Sequence, residues 1–174
     1  LVRKHPPEKD PEKFKTIRAA YETLSDPAAR QSYDAMSSYG EELTELFNQA
    51  MLRVSAEDWD GAVGPLKRLL VLDPNAHAAR NQLGLCFAFQ ERFDDAQKVF
   101  QTLTKKQPDV GLYWINLGHV LIEHAKSVAE GSPSRAASLM ETARIHLKCA
   151  VELESFNASP YLAIAESYME LERY

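Results

Sequence analysis

Apolar side chains along this chain recur three and four positions apart, in pairs of runs rather than singly. Leu83 and Phe87 lie four apart, which stacks them on one face of a helix of about 3.6 residues per turn. After the turn from Glu91 to Asp95, the residues Ala96, Phe100 and Leu103 repeat that spacing. The pattern predicts a helix, a turn and a second helix over residues 77–108. Gly84 and Ala96 are small enough to let two antiparallel helices approach closely, and Pro108, which cannot continue a helix, marks the end of the second.

The same order recurs with a period of 34 residues. One period back, Ala50 stands for Gly84, Trp59 for Phe93, Ala62 for Ala96, Leu66 for Phe100, Leu69 for Leu103 and Pro74 for Pro108. One period forward, Trp114, Leu117, Gly118 and Leu121 open a third unit, after which the register breaks and resumes at Ala143, Leu147 and Ala150. Gly118 to Ala143 is 25 positions where Gly84 to Ala96 is 12, so 13 residues are inserted in this hairpin. The insertion predicts a helix prolonged through Val120 to Glu130, a turn at Gly131 to Ser134 and a long partner helix from Arg135 to Glu154. A fourth unit opens at Ala158 with Tyr161, Ala165 and Tyr168, without a second helix before Tyr174.

This Leu-Gly, aromatic, Ala, Phe, Pro order resembles the tetratricopeptide repeat. The resemblance implies an all-α fold, an antiparallel helix-pair solenoid, with repeats over 43–76, 77–110, 111–157 with its insertion, and an incomplete 158–174.

The first 36 residues follow another pattern. Leu1 to His5 reads as the tail of a helix, broken by Pro6 and Pro7. Asp10 and Pro11 then start a helix as N-cap and first helical residue. Phe14, Ile17, Tyr21 and Leu24 form its apolar stripe, which needs a covering surface from the first repeat or a second copy of the chain. Ser25, Asp26 and Pro27 end that helix and start a shorter one through Tyr33 and Asp34. The small polar stretch from Ser37 to Gly40 places a junction between modules at 37–42.

Phe14, Ala20, Tyr21, Leu24, Ser25, Asp26, Pro27, Arg30, Tyr33 and Asp34 follow in order the pattern of the second half of a J domain, so residues 1–36 resemble the C-terminal half of that DnaJ-like co-chaperone module. The resemblance implies a heat-shock chaperone ATPase as partner. The family's functional His-Pro-Asp loop corresponds here to His5, Pro6 and Pro7. Pro7 supplies no carboxylate, and Glu8 stands one place too far along, so the J-like segment is expected to be degenerate.

Composition narrows the class. With 45% hydrophobic and 26% charged residues the chain is ordinary for a soluble globular protein, and no run approaches the roughly 18 apolar residues of a membrane span. Cys86 and Cys149 fall in core patterns far apart in the array, which predicts two buried free thiols and a reducing, cytoplasmic location. Net charge is −5; residues 1–40 carry seven basic against six acidic residues, so the array itself is acidic. Nucleic acid is a poor partner for such a surface, whereas a basic peptide or protein remains suitable.

His5, His77, His119, His124 and His146 show no zinc-ligand spacing with either cysteine. There is no Gly-rich phosphate loop and no nucleophile with an identifiable base. The expectation is a non-enzyme with neither metal nor cofactor, a scaffold that binds another protein.

The inner face of such a solenoid comes mainly from the first helix of each pair. Rotating one step from the core positions gives Phe47 and Met51, then Asn81, Leu85 and Phe89, then Leu112, Ile115, His119 and Ile122 as a mostly apolar groove. Relatives that clamp a C-terminal carboxylate need Lys, Arg and Asn here. The matching positions are Phe47, Met51, Gln82, Leu112 and Asn116, so the basic members are missing. An apolar or amphipathic segment fits better; the alternative is that several of these residues pack on neighbouring repeats. At the inserted hairpin, Val128, Leu139 and Met140 are candidates for a docking tip, against the alternative of a neutral insertion. Self-association through uncovered apolar surface is the further partner expectation.

Overall fold

Two aspartates set the first two helices. The Asp10 carboxylate accepts a hydrogen bond from the Lys13 backbone N–H at 3.1 Å and Pro11 follows as the first helical residue, so α1 runs Pro11–Ser25. Asp26 accepts from the Ala29 backbone N–H at 2.8 Å and Pro27 opens α2, Pro27–Ser55. The computed structural model describes residues 10–171, and the proposed His5, Pro6 and Pro7 loop lies outside them. After α2 come α3 (Trp59–Leu72), α4 (His77–Phe89), α5 (Phe93–Lys106), α6 (Gly111–Val128), α7 (Pro133–Leu153) and α8 (Ala158–Leu171). Consecutive helices pack against each other from α2 onward, giving a helix-pair solenoid of tetratricopeptide type.

The helix expected to stop near Asp34 does not. α2 continues through residues 37–42, and only Tyr39 departs from helical geometry, at φ −131 and ψ 17. The physical reason lies in what both ends of α2 touch. Ala35 is buried, the Ser32 hydroxyl donates to the Asp73 carboxylate at 3.0 Å, and the Asn75 side chain donates to the Ala28 carbonyl at 3.3 Å and to Gln31 at 3.0 Å. Leu43, Leu46 and Ala50 bury the far half against the array. With both halves anchored, Ser37 and Ser38 are carried in a kinked helix rather than a loop.

The repeat is visible in the backbone itself. Glu57 and Glu91, 34 positions apart, both sit in the left-handed region, at φ 57 and φ 58. Each ends a first helix in the same way: the Asp58 N–H donates to Arg53 O and the Arg92 N–H to Phe87 O, both at 2.9 Å. Asp73, Gln107 and Glu154 close the second helices identically, with N–H donors 2.8 Å from Leu69 O, Leu103 O and Ala150 O. The step from 107 to 154 is 47, one period plus the 13-residue insertion.

Side-chain packing follows the same register. Ala62, Ala96 and Ala143 have no exposure, nor do Leu66, Phe100 and Leu147 four residues further on. A Cβ added to Gly84 would lie 2.6 Å from Phe100 Cζ, and one added to Gly118 would lie 2.5 Å from Leu147 Cγ. Close approach of the two helices in each pair therefore requires glycine at both positions.

In the third unit the insertion removes the left-handed turn. α6 has 18 residues and α7 has 21, against 13 and 14 for α4 and α5, which lengthens them by roughly 7 and 10 Å. The extra turns carry their own core: Ala125, Ala129, Ala136 and Met140 are buried, and Val128 and Leu139 pack on them. This corrects the docking-tip expectation for Met140, which has no exposed surface; facing alanines let the prolonged helices close over it. Lys126, on the prolonged part of α6, bonds Glu166 of α8 at 2.5 Å.

The apolar stripe of α1 is only partly covered. Phe14 and Ile17 are half-buried, while Tyr21 and Leu24 are exposed, as are Tyr33, Met36 and Tyr39 on α2. On α8, Tyr161, Leu162, Tyr168 and Met169 are exposed. Cys86 is buried and Cys149 half-buried, both as free thiols.

Candidate peptide-binding groove

Where the first helices α4 and α6 meet, their alignment is fixed by a hydrogen bond from the Asn116 amide to the Asn81 amide oxygen at 2.9 Å. Asn81 is buried by this pairing, and Ile115, one period on, is buried as well. Asn81 thus faces the neighbouring first helix, and its equivalent is likewise covered. Ile122 is also buried; it is the equivalent of Ala88, one step off the Phe89 position. These three residues do not form an open groove surface. For Ile122 the reason is rotational: each residue turns the helix by about 100°, so an error of one position moves a side chain from the groove into the packed interior, whereas Asn81 and Ile115 share the register of Phe47 and are covered by neighbouring structure.

Beyond these covered residues a groove of about 430 Å³ opens between the C-terminal half of α4, the turn after it and the middle of α6. Leu85, Ala88, Phe89, Phe93 and Val120 supply apolar wall, with Asn116, His119, Glu91 and Glu123 between and around them. Three of the expected residues, Leu85, Phe89 and His119, are brought together here. Phe47 lines a separate depression of about 300 Å³ with Met36, Leu43 and Ala79, between α2 and the start of α4. Met51 is half-buried and Leu112 is exposed; neither lines these two depressions.

Aromatic stacking shapes the groove's outer wall. The Trp59 ring, first in α3, stacks on Phe89 with centroids 4.3 Å apart and planes at 13°. One period later Phe93, first in α5, stacks on His124 at 5.5 Å and 18°. Phe89 nevertheless keeps 61% exposure, so one ring face rests on Trp59 and the rest meets solvent. The sequence reading missed Phe93, Val120, Glu91 and Glu123. Stepping Phe89 forward by one full period reaches Glu123, and that is the signal that would have found it.

The charged residues lining the groove are Glu91 and Glu123, with cations engaged just outside it. The Lys126 ammonium is held by Glu123 at 2.8 Å and Glu166 at 2.5 Å. Burial pulls its pKa down, but the hydrogen bonds and charges of the two carboxylates outweigh that and leave it raised. Arg92 bonds Asp95 at 2.6 Å and lies over the Phe87 ring at 4.4 Å. No group of three or more His, Cys, Asp or Glu among the described residues is arranged to hold a metal ion. Among those residues, no helix is long and apolar enough to cross a membrane.

Comparison with known proteins bears on the centre of this site. Residues 87–131 match the tetratricopeptide repeat family model, a span that includes the end of α4, all of α5 and all of α6. No curated protein matches the chain. Tetratricopeptide repeats generally mediate protein–protein interaction and are typically not catalytic.

Proposed function

We propose that this chain is a non-catalytic interaction scaffold whose groove between α4 and α6 holds a peptide or amphipathic segment of a partner protein. The observation that carries the reading is Phe89, a large aromatic side chain 61% exposed at the wall of a groove whose walls are mainly apolar, and held in place from behind by Trp59. Burying such a side chain against a partner gains roughly 1.5–3 kcal/mol, and rigid support from Trp59 reduces the entropic cost of doing so. The test uses a display library of random peptides selected on the protein and on its Phe89→Asp variant. A pool of sequences retained by the first and lost on the second is expected; identical pools would remove the groove from the account.

A second reading is a co-chaperone in which α1 and the start of α2 belong to a J domain. The ordered match from Phe14 to Asp34 and the Asp26–Pro27 helix start support it. Stimulation of a heat-shock chaperone ATPase by the protein, abolished by His5→Gln, would favour this reading over a purely passive scaffold. Self-association through the exposed apolar residues of α1 and α8 is tested by sedimentation across a concentration series.

A further inference from the structure

The groove's chemistry narrows the occupant further, and the narrowing rests on the binding reading above. Glu91 and Glu123 are the acidic side chains that line it, and neither lysine nor arginine is among the lining residues. The cations next to it are engaged with carboxylates, Arg92 and Lys98 with Asp95 and Lys126 with Glu123 and Glu166, so the two lining carboxylates meet no lysine or arginine on the groove wall itself. Phe89 presents a ring face beside this negative rim, and Leu85 and Val120 supply apolar wall deeper in. Together these surfaces match a long side chain with an apolar stem and a cationic head. The stem covers apolar wall while the head meets an aromatic face and carboxylates.

We propose that the groove selects partner segments in which a bulky apolar residue is flanked by arginine or lysine, and rejects acidic segments. Rejection follows from the same geometry: an acidic side chain would be brought beside Glu91 and Glu123 on a wall that carries no lysine or arginine. The apolar residue supplies area in the groove, and the cation supplies choice among apolar partners.

The groove-dependent pool from the display library, defined by its loss on Phe89→Asp, is read for charge. Enrichment of Arg and Lys next to apolar positions, with depletion of Asp and Glu, is the expected result. A pool with no charge bias, or with acidic enrichment, overturns this proposal and leaves the groove reading standing; absence of any groove-dependent pool defeats both. As a second measurement, a selected peptide is titrated against the Glu91→Gln/Glu123→Gln double variant, whose substitutions lie on exposed positions. Binding about fivefold weaker with a shallower salt dependence is expected. Unchanged affinity and unchanged salt dependence in a variant with native circular dichroism would overturn it.

Discussion

Gly84 lies directly against the ring of Phe100, so close that an added methyl would sit 2.6 Å from Cζ and 2.9 Å from Cε2. Gly64, also inside a helix, has no atom of another element within 4 Å of where its methyl would go. Gly84→Ala is therefore expected to destabilise by about 1–3 kcal/mol through overpacking. Gly64→Ala should change stability by less than about 1 kcal/mol, because the gain from restricting the unfolded chain is opposed by the crowding of a side chain before Pro65 in a helix. Urea denaturation of the two variants checks that the loss at position 84 is the larger.

Glu57 holds a left-handed backbone conformation at φ 57 with no glycine to relieve it. Side chains in that region cost about 1–2 kcal/mol, part of which glycine returns as lost unfolded-state restriction. Glu57→Gly should raise stability by up to about 1 kcal/mol. A higher urea midpoint with an unchanged slope is the expected signature, and a lower midpoint would contradict it.

Met140 distinguishes a packed hairpin from a docking tip. Its side chain has no exposure, so Met140→Ala should cost about 2–5 kcal/mol. An exposed docking residue would leave the thermal midpoint nearly unchanged on the same substitution.

Burial holds His124 below the ordinary histidine value; Asp94 opposes this and Arg135 adds to it. His77 and His146 are lowered in the same direction, with burial again the largest cause. A lowered folded-state pKa means that the unfolded chain takes up the proton first. Stability is therefore fully present above about pH 6.5 and is lost as pH falls below it toward the folded-state values. Urea midpoints measured between about pH 7.5 and pH 5 should decline on the acid side, and His124→Gln should make that decline shallower.

Much of this architecture was legible from spacing alone, because a repeated unit states its contacts more than once. Ala62, Ala96 and Ala143 were expected between paired helices and all three are fully buried. The break after Leu121 announced a longer hairpin, and α6 and α7 are that hairpin. The groove was read less well. Leu85, Phe89 and His119 share it, whereas Asn81, Ile115 and Ile122 are buried, because periodicity says which face of a helix is apolar but not how far the next helix covers it.

The chain's own order of residues thus determined the helix pairs, their period, the place of the insertion and the glycines where helices must touch. Each of these depends on short-range geometry that a 3.6-residue turn repeats. Tertiary structure decided the rest. α2 runs through its expected junction because Asp73 and Asn75 hold one half and the array buries the other. α3 keeps its helix across Pro65, where local preference favours a break, because Leu66 and Leu69 are buried on either side of the next turn. The acidic rim beside Phe89 arises only when Glu91 and Glu123, 32 positions apart, are brought to one opening by the stacking of α4 on α6. Non-local contacts of that kind depend on how neighbouring helices rotate against each other, which no local pattern encodes.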